Sequence, residues 1–128
     1  MVSWDSAQAV VQAVEERLGP IDILVNNAGV SRFVDFVDID EAEWDRVIDI
    51  NLKGVFVTTR AVLPKMIERE CGRIVSVASV CGKIGAPKFS HYSASKLGVI
   101  GLSQAIAPKS RPSASPSTRS APASSRRR

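Results

Sequence analysis

Two short apolar runs, residues 21–25 (Ile-Asp-Ile-Leu-Val) and 73–77 (Arg-Ile-Val-Ser-Val), limit most what this chain can fold into. Both are rich in Ile, Val and Leu without sustained polar alternation, the pattern of parallel strands covered on both faces. Each follows a helical pattern and precedes a loop. Ala7, Val11, Val14 and Leu18 recur at spacings of four, three and four, one face of a first helix. Asp5 or Ser6 is placed to cap its start, and Gly19-Pro20 ends it. A second helix is predicted from Asp40, with acidic residues at its positive end, to about Arg69. Ile48, Leu52, Val55, Thr59, Val62 and Met66 would line its buried face, and Pro64 should kink or break it. Cys71-Gly72 closes it. Residues 26–36 and 79–90 read as loops, and Ser90 is placed to cap a last helix over 91–107. The order helix, strand, helix, strand, helix predicts an alternating α/β fold with parallel strands.

Charge divides the chain at residue 107. Residues 1–107 hold eleven Lys/Arg and thirteen Asp/Glu, a net of −2. Residues 108–128 hold six Lys/Arg and no acid, a net of +6, in a run of Ser, Pro, Arg, Ala, Lys and Thr. The sequence pI of about 9.4 therefore describes the tail and not the fold. With nothing larger than Ala among its apolar residues, the tail is expected to be disordered. It could bind phosphates non-specifically, but it lacks aromatics and a folded reader, so no specific nucleic-acid partner is expected. No apolar run reaches bilayer-spanning length, and the N-terminus lacks a basic start and an apolar core. A cytoplasmic protein without a membrane partner is the expectation. Cys71 and Cys81 have neither metal-site nor Cys-x-x-Cys spacing and read as free thiols; no metal cluster is expected.

The chemistry concentrates in few residues. Tyr92 and Lys96 are four apart on a predicted helix, so their side chains share a face. A nearby ammonium favours the phenolate, which makes the pair a plausible proton donor and acceptor. Alone, the spacing is far more often that of two solvated helix neighbours. Ser79 lies at the carboxyl end of the second strand, where open α/β sheets bind ligands, though a loop serine is the plainer reading. Asn51 reads equally as a surface polar group, and Asn26-Asn27 as an ordinary turn. Trp4 and Trp44 are expected as packing anchors, and His91 as a capping-region or solvent-facing residue.

Taken together, Asn26-Asn27-Ala28-Gly29, Asn51-Leu52-Lys53-Gly54, Ser79 and Tyr92-Ser93-Ala94-Ser95-Lys96 resemble the short-chain dehydrogenase/reductase family over roughly residues 3–107. The resemblance implies a partial Rossmann-like doubly wound sheet, with a catalytic domain over 1–107 and a tail over 108–128. It implies NAD or NADP as cofactor and a small-molecule carbonyl or alcohol as substrate, with a homo-oligomer in complete relatives. Asn26, Ala28 and Gly29 would close over the cofactor. Asn51 would hold a water in a proton relay, Ser79 would orient substrate, and Tyr92 would act as acid/base. Lys96 would bind the nicotinamide ribose and depress the pKa of the tyrosine. Both 3-oxoacyl thioesters and small secondary alcohols are open as substrates, with residues 90–96 favouring small alcohols.

Against the family pattern, no Gly-rich phosphate turn precedes Ala7, and residues 108–128 replace an expected strand reading roughly Val-Asn-Ala-Ile-x-Pro-Gly. Codons can be chosen for 108–127 that, shifted by two bases, encode Val-Asn-Ala-Ile-Cys-Pro-Gly. The expectation is a truncated and frameshifted fragment with exposed sheet edges. Such a fragment would be prone to aggregate and inactive by itself, or would pair with intact subunits of the family.

Overall fold

The fold is seen in a computed structural model that describes residues 2–107. The disorder expected for residues 108–128 lies outside the described residues. Two strands, β1 (Ile23–Asn26) and β2 (Arg73–Ser76), pair in parallel with Ile23 opposite Arg73 and Asn26 opposite Ser76. The Arg73 and Val77 amides extend the ladder by donating to Asp22 and Asn26 carbonyls at 2.8 and 2.9 Å. The crossover between them is helical, so this is a partial Rossmann-like α/β sheet, as the alternating pattern predicts. Among the described residues no helix is long and apolar enough to cross a membrane.

Among the described residues only one face of the sheet is covered, which corrects the expectation of two. Leu24, Asn26, Ile74 and Ser76 are at least half-buried. Ile23, Val25, Val75 and Val77 share the opposite face and remain 41–62 % exposed. The apolar character of both runs is thus only half used, and Leu18 on the first helix is exposed as well.

Helix α1 (Trp4–Leu18) is capped by Ser3, not by Asp5 or Ser6. Extended backbone at Ser3 lets its Oγ accept from the Ser6 amide at 3.2 Å. Gly19, at φ +87, ends the helix. α1 packs on α3 (Gly54–Glu68), where Glu15 pairs with Lys65 and the Arg60 guanidinium stacks 4.3 Å above Trp4. Trp4 is half-buried, but Trp44 lies at the surface and anchors less than expected.

The predicted long helix is interrupted, though not at Pro64. Helix α2 (Glu41–Ile48) starts at Asp40, whose Oδ1 accepts from the Glu43 amide at 2.7 Å. It widens into a π-turn over Asp49–Lys53 before α3 begins. α3 runs through Pro64, which removes a single amide donor and lies, like Arg60 one turn before it, on the exposed side of the helix. The buried apolar set is Ala7, Val47, Val55, Val57, Val62, Met66 and Val99. Of the predicted face, Val55, Thr59, Val62 and Met66 are buried, while Ile48 and Leu52 beside the π-turn are half-buried.

The second loop contains a short helix, α4 (Cys81–Ile84), which packs on α5 (Ser90–Ile106). Ser90 is the first residue of α5 and does not cap it; its Oγ is buried without a partner. Cys71 and Cys81 are free thiols.

Candidate active site

The site lies where the carboxyl ends of β1 and β2 meet the π-turn and the first turns of α5. Asn51 sits in the π-turn and is fully buried. π-turns within helices occur often at functional sites, because the extra residue redirects side chains. Asn51 Oδ1 accepts from the Val30 amide at 2.7 Å, and its Nδ2 donates to the Val30 carbonyl at 2.8 Å and to Ser95 Oγ at 3.0 Å. Ser95 Oγ in turn donates to the Tyr92 carbonyl at 2.7 Å. One hydrogen-bonded chain therefore joins the loop after β1, the π-turn and α5, and it satisfies every polar atom of the Asn51 side chain.

Tyr92 and Lys96 lie one turn apart on α5, with Lys96 Nζ 5.7 Å from the centre of the Tyr92 ring. Lys96 is only 4 % exposed, and its ammonium donates to the Val77 carbonyl at 2.9 Å, at the end of β2. Burial pushes the Lys96 pKa below the ordinary lysine value. One of three ammonium donors is engaged, which leaves two for a ligand. The Tyr92 hydroxyl has no hydrogen-bond partner among the described residues, so it is available to a ligand.

Ser79 stands after β2, half-buried, with its Oγ accepting from the Cys81 amide at 3.2 Å. It is joined to Tyr92 and Lys96 through α4 and not by a direct bond among the described residues. Asn26 is buried at the end of β1. Its amide group donates to Thr59 Oγ1 at 3.1 Å and Ser76 Oγ at 3.3 Å, and its Oδ1 accepts from Thr58 Oγ1 at 2.7 Å. It ties both strands to α3. Ala28 and Gly29 are exposed. A Cβ on Gly29 would fall 3.4 Å from both Asn51 Oδ1 and Lys96 Nζ, so glycine keeps the approach to both groups clear.

His91 is fully buried, contrary to the expectation of a capping or solvent role. Its Nε2 lies 3.4 Å from Glu43 Oε1, a contact between α5 and α2. Bidentate hydrogen bonds from Arg46, both 2.9 Å, hold the Glu43 carboxyl below its usual range. The two loops flanking the site pack on each other. The Val34 amide donates to the Lys88 carbonyl at 3.0 Å, and Lys88 pairs with Asp35 at 3.0 Å. Phe33 meets Phe89 edge-on at 5.0 Å, and Phe89 lies 5.8 Å from Tyr92, an aromatic shelf beside the phenol.

Sequence reasoning gives Ser95, Phe33 and Phe89 no individual role and misplaces His91, although it expects the loops of residues 30–36 and 84–90, which hold the two phenylalanines, to border the substrate pocket. Ser95 carries a signal, since it stands three residues after Tyr92 on the same helix face. The others depend on contacts between distant segments and leave no local pattern.

The family model for the short chain dehydrogenase matches residues 1–114. Nodulation protein G of Azospirillum brasilense is 48 % identical over 104 residues, covering 81 % of this chain and 42 % of the relative. The 3-oxoacyl-[acyl-carrier-protein] reductase FabG of Thermotoga maritima is 48 % identical over 100 residues, 78 % of this chain and 41 % of the relative. Acetoacetyl-CoA reductase of Allochromatium vinosum is 43 % identical over 105 residues, 82 % of this chain and 43 % of the relative. The chain spans about two fifths of the length of these curated relatives. By the match over most of its length, and by these identities, the chain belongs to the short-chain dehydrogenase family.

Proposed function

We propose that this chain carries the catalytic centre of an NAD(P)-dependent oxidoreductase acting on a carbonyl or secondary alcohol, with Tyr92 as acid/base. The observation that carries the reading is the convergence of Tyr92, Lys96 and Asn51 at the carboxyl ends of the strands, linked through Ser95. The residues fit a nicotinamide cofactor. Lys96 has two free ammonium donors and the Tyr92 hydroxyl is free for ribose hydroxyls, while Gly29 leaves open the backbone beside them. The bound cofactor would supply the hydride in reduction and accept it in oxidation. Tyr92 would give its proton to the developing alkoxide in reduction, or take one from the alcohol in oxidation. The Lys96 charge would stabilise the phenolate. Ser79, whose hydroxyl hydrogen is not committed to the Cys81 contact, would orient the substrate oxygen.

The exposed sheet face formed by Ile23, Val25, Val75 and Val77 leaves the strands unsupported on one side, so the chain by itself is expected to be inactive. A second reading is non-catalytic pairing with intact family subunits. It is favoured by an apolar groove between α3 and α5, lined by Phe56, Leu63, Pro64, Ile67, Leu102 and Ile106. The same groove suits the homo-oligomer expected of complete relatives.

The test is a chimera in which residues 4–106 replace the matching segment of the Thermotoga maritima reductase. Oxidation of NADH or NADPH is followed with acetoacetyl-CoA, and reduction of NAD or NADP with small secondary alcohols. The names of two relatives favour trying a 3-oxoacyl thioester first, ahead of the small alcohols suggested by residues 90–96. A folded chimera inert with both substrate classes and both cofactors would refute the proposal.

A further inference from the structure

We propose that Gly82 is a positioning residue for the catalytic lysine, holding α4 so close to α5 that Lys96 reaches the end of β2. The inference rests on the reading of Lys96 given above and adds a residue outside the motifs that identify the family. Gly82 is buried in α4. A Cβ there would lie 2.8 Å from the Leu97 amide nitrogen and from the Lys96 carbonyl carbon, and 3.0 Å from Lys96 Cβ. Backbone atoms cannot turn away as a side chain can. Gly98 on the same helix shows the contrast, since its Cβ would meet Leu52 methyl groups, which can rotate. No unusual φ demands glycine at 82, so the requirement is one of space alone.

The stretch from Val77 to Gly82 holds Lys96 at two points. The Lys96 ammonium bonds the Val77 carbonyl at 2.9 Å, and the Gly82 backbone rests against the Lys96 backbone. Ser79 lies between these points and accepts from the Cys81 amide within α4. A methyl group at 82 would force α4 and α5 apart by about half an ångström or more before ordinary contact distances return. Lys96 could not then keep both its backbone position and its bond to Val77, and Ser79 would shift with α4. Misplacements of this size at reacting groups lower rates steeply, by about a hundredfold for 1 Å.

The experiment uses this chain, labelled with ¹³C-lysine, and follows the Lys96 Cε resonance against pH. Lys96→Arg assigns the resonance. In Gly82→Ala the Lys96 titration should move upward, towards the ordinary lysine value, as burial is lost. Gly101→Ala on α5, where a Cβ meets nothing within 4 Å, should leave it unchanged. An unchanged Lys96 titration in folded Gly82→Ala would overturn the proposal. If Gly82→Ala does not fold, the triple variant Cys81→Gly, Lys83→Gly, Ile84→Gly decides, because it dissolves α4 without adding volume. The same upward movement supports the proposal, and none overturns it. This readout needs no cofactor and no turnover, so an inactive wild-type chimera would count against the proposed function and leave the positioning result standing. In an active chimera, Gly82→Ala should lower kcat about tenfold to a hundredfold with the KM for the carbonyl substrate little changed. An equal loss through the KM for the carbonyl substrate alone would contradict the assignment.

Discussion

Removing the Asn51 side chain tests whether the hydrogen-bonded chain through it holds the site together. Asn51 is fully buried, and its amide satisfies both backbone groups of Val30 as well as Ser95 Oγ. In Asn51→Ala, Ser95 still donates to the Tyr92 carbonyl, so the loss falls on the Val30 N–H and C=O. Each unsatisfied buried group costs about 1–3 kcal/mol. Val30 is half-buried, so about 1 kcal/mol each is the better figure, and the cavity left behind adds about 1–2 kcal/mol. The sum, about 3–4 kcal/mol, is a large share of the 5–15 kcal/mol typical of a domain. With a urea slope near 2 kcal/mol per molar, the unfolding midpoint should fall by about 1.5–2 M. Exchange of the Val30 amide should quicken by a larger factor than that of Val62 or Val99 amides. Asn51→Asp sharpens the test. Its carboxylate can still accept from the Val30 amide, but it sets a second oxygen against the Val30 carbonyl, where Nδ2 now donates at 2.8 Å. It should be at least as damaging as alanine at neutral pH and partly relieved in acid, when the carboxyl can donate. A loss below about 0.5 kcal/mol in Asn51→Ala, or an Asp variant as stable as wild type at pH 7, would refute the reasoning.

Three further outcomes follow from the same structure. Because burial lowers the folded-state pKa of Lys96, the unfolded chain holds that proton more tightly. Stability should therefore rise with pH between the folded value and about 10.4, and Lys96→Met should abolish that slope in urea titrations run from pH 7 upward. Glu43 is shifted the other way, chiefly by its hydrogen bonds to Arg46. Its contribution should be complete above the unfolded carboxyl value and vanish as pH falls through the lower folded value, so wild type and Glu43→Gln should converge in stability in acid. Ile67→Glu, placed in the apolar groove of α3 and α5, should reduce self-association or pairing with the Thermotoga maritima reductase in sedimentation by tenfold or more, while the far-ultraviolet spectrum stays the same.

Much of this architecture was legible from local pattern. The apolar runs around Leu24 and Val75 are the paired strands, and their order with the helices predicts the parallel sheet. Gly19 ends α1 as glycine should, and Asp40 heads α2. What the pattern could not convey lies in contacts between segments. Pro64 reads as a break because local rules make it one, yet the break came eleven residues before Pro64, at Lys53 and the residues preceding it, where Asn51 turns inward to bond Val30 and Ser95. His91 reads as polar and exposed, but α2 brings Glu43 over it. Ser90 is a good cap by composition, but Phe89 precedes the helix and packs against Phe33 from the other loop. The site residues follow the same division. Tyr92 and Lys96 are joined by helical spacing and can be found in sequence alone. Ser79 and Asn51 reach them only through α4 and Ser95, and those links are tertiary.

The central claim is that Tyr92 is the group that moves the proton, and the most direct measurement is turnover of the chimera carrying residues 4–106 with and without Tyr92→Phe. Loss of a general acid typically lowers rate by about 10²–10⁴-fold. The account predicts a kcat loss of that size in a chimera that still folds, because phenylalanine keeps the ring beside Phe89 and removes only the hydroxyl. A Tyr92→Phe chimera that retains kcat within about threefold of its parent would contradict it.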